Sequence, residues 1–406
     1  MRCNQIIVFC SMLLIGNYVA AQDWPQWRGP NRDNKVVGFA APKEWPKELT
    51  KKWQVKVGIG EASPLLVGNK LYVFARQGDE EVTLCLDAAS GNEIWKDKYK
   101  AEAVKGAPSG YPGPRSTPAV GEGRVCTLGV GGVVSCLDAG SGKLVWRKDT
   151  QKPKFYTSTS PIIADGKCIV FGQALTAFDL NTGDAKWTGP GGGAPYGSPV
   201  LMTVGGVKQV VTPTGSNNLV GVNLADGKQL WQVKLEGTSY FANYSTPLVH
   251  GAMVYYSISA GKGGKGGNTI ALKIEKKDDG FAANQVWKKP FAAAGYHTPL
   301  FYDDQGVIFG VSSAKTFFCF DAKTGEELWK DKTTRGDCGS ILDAGPVLLS
   351  LTSDSKLVAF RASNKEYMEV AKYTVSDSPT WSVPIIAGNR VFVKDKGGSL
   401  TLWTIE

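Results

Sequence analysis

Long hydrophobic runs are almost missing from this chain of 406 residues. One occurs, Ile6 to Ile15, and it is too short to cross a bilayer; nothing of spanning length follows, which excludes a helical integral membrane protein. Histidine is nearly absent as well. His250 and His297 are the two in the chain, and a lone His297 without a matched acid, nucleophile or metal set reads as a hydrogen-bonded loop residue rather than a base. The glycine run Gly261-Lys262-Gly263-Gly264-Lys265-Gly266-Gly267 lacks the Gly-Lys-Ser/Thr ending and following helix of a phosphate cradle, so it reads as a hairpin loop. Basic residues outnumber acidic ones, 46 to 37, but they lack the interleaved aromatics of a nucleic-acid stacking platform. Lys143, Arg147, Lys148, Lys152 and Lys154, then Lys273, Lys276, Lys277, Lys288 and Lys289, are spread along turns as a solvated face. The net charge of +9 favours anionic partners without naming a chemistry.

The N-terminus carries an address. Arg2, the apolar run and the small residues of Val19-Ala20-Ala21 before Gln22 read as a secretory signal peptide over residues 1–21. Cys10 lies inside the apolar run after bulky Phe9, which argues against a lipid anchor. The mature chain is therefore expected to be periplasmic or secreted. Residues 22–50 follow as an irregular arm rich in Trp and Pro, with no period of 2 or 3.6, expected to pack across the outside of the fold.

From residue 51 to residue 406 the chain repeats. Five segments place an Asp or Asn eight residues before a Trp, with a Gly between: Asp87, Gly91 and Trp95; Asp138, Gly142 and Trp146; Asp179, Gly183 and Trp187; Asn223, Gly227 and Trp231; Asp321, Gly325 and Trp329. The Asx side chain bonds the backbone two residues on and Gly supplies a positive φ, so each is a hairpin turn whose Trp anchors the outgoing strand. The units open with Ser63-Pro64, Thr117-Pro118, Ser160-Pro161, Ser198-Pro199, Thr246-Pro247, Thr298-Pro299, the diverged Ser340-Ile341, and Val383-Pro384. Proline suits the first residue of an edge strand. Eight units near 45 residues, each a meander of four strands, predict an all-β, eight-bladed β-propeller. The last unit has three strands, so Lys51 to Val57 is expected to complete it and close the ring, hiding its edges.

Cysteines recur within the pattern. Two residues before the motif Asp the units carry Cys85, Cys136, Ala177, Gly221, Ala271, Cys319, Ala359 and Thr401, all small, which makes those thiols compact core residues. Cys126 and Cys136 share a hairpin but are not expected to face each other. Buried free thiols are therefore expected at Cys85, Cys126, Cys136, Cys168, Cys319 and Cys338.

This repeat resembles the pyrroloquinoline quinone (PQQ) repeat family, shared by quinoprotein alcohol dehydrogenases and BamB-type outer-membrane assembly proteins, and the resemblance covers residues 51–406. The opening Asp23-Trp24-Pro25-Gln26-Trp27-Arg28-Gly29-Pro30 is similar to short, secreted BamB-like members. The resemblance implies a propeller whose Trp residues stack between blades. Quinoprotein members also need a vicinal disulfide, a Trp floor, carboxylate and amide ligands for calcium and an Asp base. Here no two cysteines are adjacent, the long inserts are missing, and Asp87, Asp138, Asp179 and Asp321 already serve turns. No catalytic residue, metal site or cofactor is expected, and PQQ with calcium is disfavoured.

Strand parity points to the functional face. Loops entering first strands share one face with loops joining second to third strands, while the Asp-Gly turns lie opposite. Three residues before each opening Pro, or before Ile341, stand Glu61, Arg115, Ser158, Tyr196, Tyr244, Tyr296, Cys338 and Trp381 around one mouth, with His297 beside it and Tyr111 above it in the loop Lys100 to Pro114. Exposed loops carry function, and aromatics also fill gaps. The expectation is a non-catalytic binding or scaffold module that takes a protein or anionic polysaccharide partner at this face, as the BamB resemblance implies. The alternative is an enzyme at the same mouth, a PQQ-dependent oxidoreductase or a carbohydrate-active propeller.

Overall fold

Short strands rich in Val, Ile, Leu and Phe pair with their sequence neighbours into eight four-stranded antiparallel sheets. The computed structural model describes residues 23–150, 153–236, 244–258, 267–290, 297–336 and 339–406. Blade one is Leu65–Val67, Lys70–Gln77, Glu80–Asp87 and Glu93–Lys100, and the next six blades repeat its order from the axis outward. Blade eight takes Ile385–Ala387, Arg390–Lys394 and Ser399–Thr404 from the C-terminus and Thr50–Lys56 as its outer strand. Trp53 pairs with Leu402 and Val55 with Leu400, so the ring closes as the repeat count predicts. The signal-peptide segment and most of the glycine run lie outside the described residues.

The repeat motif works as a clamp between blades. Asp87, Asp138, Asp179 and Asp321 each accept backbone N–H bonds from their own turns through Oδ1. The Trp of one blade then lies on the turn Gly of the next: Trp53 on Gly91, Trp95 on Gly142, Trp146 on Gly183, Trp187 on Gly227 and Trp287 on Gly325. The indole N–H of Trp95, Trp146, Trp187 and Trp287 donates to the carbonyl just past the neighbour's Asx, as from Trp146 to Leu180 at 3.0 Å and from Trp187 to Leu224 at 3.1 Å, whereas Trp53 Nε1 has no partner. The small residues have a matching cause, since Cys85, Cys136, Ala177, Gly221 and Cys319 sit directly opposite Trp95, Trp146, Trp187, Trp231 and Trp329. At Gly221 even a Cβ would meet the Trp231 ring at 2.0 Å. Trp329, which bonds the Ser363 carbonyl, and Trp231 depart from the clamp. Blade five replaces the Asp-Gly turn with a hairpin of two ten-residue strands, and Trp231 bonds Gln209 of its own blade instead.

Two expectations need correction. Cys126 and Cys136 are direct partners in the register of Arg124–Leu128 with Val133–Asp138, because the turn is confined to residues 129–132. Cys126, Cys136, Cys168, Cys85 and Cys319 are buried thiols, and Cys338 lies outside the described residues. The arm also departs from its expected course. Its first part does not pack across the outside: Trp24 bridges Leu66 and Gln26 bridges Ala119 on the innermost strands of blades one and two. It then crosses the axis to Asn34 and Lys35, which meet Ile341 and Asp343 of blade seven. An outer strand is reached only near Pro46, whose carbonyl accepts from Tyr373 of blade seven.

The crossing rests on two arginines. Arg28 and Arg32, 2% and 4% exposed, fork in opposite directions inside the channel. Arg28 donates to the carbonyls of Thr298 and Pro299 in blade six; Arg32 reaches Ser160 and Pro161 in blade three and Pro199 in blade four. Innermost strands are edges with backbone groups facing the channel, and a planar guanidinium with five donors satisfies several such carbonyls at once. Burial lowers both groups, Arg28 to about 10 and Arg32 to about 9, so both remain charged at neutral pH. The arm plugs the ring from the side opposite the mouth.

Candidate functional site

The opening Ser/Thr-Pro steps form a belt above the plug. The backbone N–H of each opening residue donates to the next blade's hydroxyl: Val383 to Ser63, Ser63 to Thr117, Thr117 to Ser160, Ser160 to Ser198, Ser198 to Thr246 and Thr246 to Thr298, all at 2.8–3.1 Å. The belt is interrupted at blade seven, where the Ser340 hydroxyl has no partner, and the His297 ring bonds the Gly339 carbonyl across that junction. The Ser/Thr-Pro mark thus has two uses, a hydroxyl toward the neighbouring blade and, in blades three, four and six, carbonyls toward the arm.

Above the belt opens a cavity of about 370 Å³. The arm's Trp27 contributes to its lining, as do the six belt hydroxyl residues and Glu61, Tyr111, Arg115, Phe155, Ser158, Tyr196, Tyr244 and Trp381. Seven of the residues selected from the sequence, Glu61, Tyr111, Arg115, Ser158, Tyr196, Tyr244 and Trp381, are thereby brought around one space. Tyr296 and Cys338 lie outside the described residues. His297 departs from the expectation that it stands beside the mouth. It is 1% exposed and turned into the junction between blades, and burial lowers its imidazole to about 4, which keeps it neutral. Sequence reasoning missed Trp27 and Phe155, which belong to no repeat position, and read the belt hydroxyls only as strand openings.

Aromatic pairs flank the cavity. Tyr196 and Tyr244 meet edge to face at 5.1 Å, and Tyr111 meets Trp381 at 5.7 Å. Tyr111 rides on the long loop, whose single 3-10 turn spans Ala107–Gly110 and whose carbonyls at Ala101 and Glu102 are held by Arg76. Between these flanks Arg115 donates to the Phe155 and Tyr111 carbonyls at 3.1 and 3.3 Å, leaving its buried Nε without a partner. Lys396 lies 4.7 Å above the Tyr111 ring. Burial pushes the Glu61 carboxyl above the usual carboxylate range, against the pull of Lys394, Arg115 and Lys396.

Lys394 is the buried cation behind Glu61, with its ammonium donating to the Gly60 carbonyl. Burial lowers it from 10.5 to about 8, with Glu61 and Asp395 pulling the other way. Between pH 8 and 10.5 the unfolded chain therefore holds a proton that the native state has released, so this residue makes stability rise with pH across that window. Lys394→Met should abolish the increment. In denaturant titrations the wild type is expected to gain on the variant by up to about 1.4 kcal/mol per pH unit above pH 8; parallel pH profiles would refute the assignment.

With the fold and cavity described, comparison with known proteins places the chain. A family described as outer membrane protein assembly factor BamB matches residues 78–331, well over half of the sequence. The chain belongs to that family. BamB of Burkholderia pseudomallei (strain K96243) is 26% identical over 366 residues, covering 86% of each chain. Methanol dehydrogenase [cytochrome c] subunit 1 of Methylorubrum extorquens is also 26% identical, but over 171 residues, 36% of this chain and 26% of the relative. Among solved structures, BamB from Moraxella catarrhalis superposes with a TM-score of 0.66 at 14% identity over 88% of this chain and 99% of its own. A europium-containing methanol dehydrogenase gives 0.68 at 14% identity over 94% and 98%. At that identity the superpositions show the shared propeller alone. The sequence match separates the two groups, running nearly end to end with the BamB relative. No helix among the described residues is long and apolar enough to cross a membrane.

Proposed function

We propose that this BamB-family chain is a non-catalytic, extracytoplasmic scaffold in outer-membrane protein assembly that docks a protein partner at its loop-rich mouth. One observation carries the reading: a chain aligned along 86% of its length with an assembly factor gathers aromatics and Arg115 from several blades around one mouth. Rigid aromatics and arginine are the side chains that dominate protein interfaces. The cavity's donor set does not suit calcium with a quinone. Among the described residues its charged lining is Glu61 and Arg115, whereas calcium takes six to eight oxygen ligands, usually including several carboxylates. The secretory leader read at residues 1–21 supports a periplasmic or secreted location.

The test is complementation. Deleting the gene in its host should lower the abundance of folded outer-membrane β-barrel proteins, and the wild-type chain should restore it. The triple substitution Arg115→Ala, Tyr244→Ala and Trp381→Ala should leave the protein folded by circular dichroism and fail to restore it. Full rescue by the triple variant would sink the site. Turnover of an alcohol by purified protein supplied with PQQ and calcium would decide for the enzyme.

A further inference from the structure

The belt has a chemical consequence for what can enter the cavity. Ser63, Thr117, Ser160, Ser198, Thr246 and Thr298 each accept a backbone N–H bond from the preceding blade. A hydroxyl that is already accepting still has its own hydrogen to donate, and all six residues line the same cavity. Buried Arg115 Nε–H adds an unpartnered donor, and the Lys396 ammonium sits over Tyr111. Against these, Glu61 is the lining carboxylate among the described residues, and its Oε2 has no partner. The described lining is thus rich in hydroxyl groups, carries one arginine and one carboxylate with Lys394 and Lys396 close to that carboxylate, and is walled by Tyr and Trp rings.

Two alternative occupants fail on one of these features. A cation would meet Arg115 in the lining, with Lys394 and Lys396 near Glu61 behind it. A purely apolar group would leave the Arg115 donor unsatisfied. A sugar ring matches instead, because its C–H faces lie against aromatic rings while its oxygens accept from the hydroxyls, and a carboxylate on that ring answers the cationic side. At about 370 Å³ the cavity is at the small end of ligand pockets, sized for the end of an oligosaccharide.

We propose that the axial cavity is a binding site for an acidic oligosaccharide end, with a uronic acid residue against Arg115 and Lys396 and its ring between the aromatic flanks. This goes beyond the protein-docking role, and its test uses the purified chain alone, so either can fail without the other. The mature protein is titrated with tri-galacturonate, with maltotriose as the neutral comparator and with citrate as a carboxylate lacking the sugar. Calorimetry reads binding, and tryptophan fluorescence reports on Trp27 and Trp381. Tri-galacturonate is expected to bind at least about tenfold more tightly than either comparator, the size of one charge-assisted hydrogen bond. Arg115→Gln and Lys396→Gln should each weaken it, with unfolding temperature checked for both, and Lys396→Gln stands in if Arg115→Gln misfolds. No binding of tri-galacturonate, equal binding of maltotriose or citrate, or unchanged affinity in the folded variants would overturn the proposal.

Discussion

Arg32→Ala is expected to destabilise the protein by about 3–5 kcal/mol, the range for stripping one partner from a buried charged network. The guanidinium spans two blades, donating to Ser160 and Pro161 in one and to Pro199 in the next, and its Nε also bonds Gln26 within the arm at 3.0 Å. Alanine leaves these channel carbonyls without that donor and opens a hole on the axis. Water entering from the channel offsets part of the loss, which favours the lower end of the range. Arg32→Lys should recover little, because a single ammonium cannot fork between blades as a planar guanidinium does. Equilibrium denaturation with urea measures both. A midpoint for Arg32→Ala indistinguishable from wild type would show that the arm rests on the ring without bracing it. The mouth should feel the same change, since Trp27 lines the cavity, precedes Arg28 directly in the chain and has its ring 5.5 Å from the Arg28 guanidinium.

The plug was illegible in the sequence, whereas the ring was plain, and the difference is physical. Asp87, Gly91 and Trp95 announce a turn and an anchor through side chains that few other residues replace, and five repetitions at one spacing add up to a fold. Arg28 and Arg32 bind backbone carbonyls, which every sequence offers, so nothing at positions 160, 199 or 298 marks them as partners. The mouth was legible through strand parity, which places Glu61, Arg115, Ser158, Tyr196, Tyr244 and Trp381 together. The same parity, applied one residue further, removes His297. In an extended chain successive side chains point opposite ways, and the residues two before each opening Pro, including Ala62, Ser116, Thr159 and Ser245, are buried. His297 occupies that inward position. Trp27 reaches the cavity from outside the repeats, which no repeat-based pattern registers.

Gly142→Ala should be among the most disruptive single-methyl changes, at about 3–5 kcal/mol. The residue sits at φ +74°, and a Cβ there would lie 2.5 Å from the Trp95 ring. Left-handed backbone alone costs an alanine about 1–2 kcal/mol. The remainder comes from displacing the ring, on the scale of losing a buried Trp. Trp95 has little room to retreat, with Cys85 directly opposite it, Tyr72 at 5.9 Å and its indole N–H held by the Ala139 carbonyl at 3.3 Å. Gly123 supplies the control. It lies in the same blade at φ +73°, yet a Cβ there would meet nothing within 4 Å, so Gly123→Ala should cost the backbone share alone. Equal losses for the two variants, read from urea midpoints, would show that the Trp-on-Gly contact contributes nothing between blades. An excess at Gly142 gives the clamp's worth directly, and because that turn lies on the face opposite the mouth, ligand affinity per folded molecule should be unchanged.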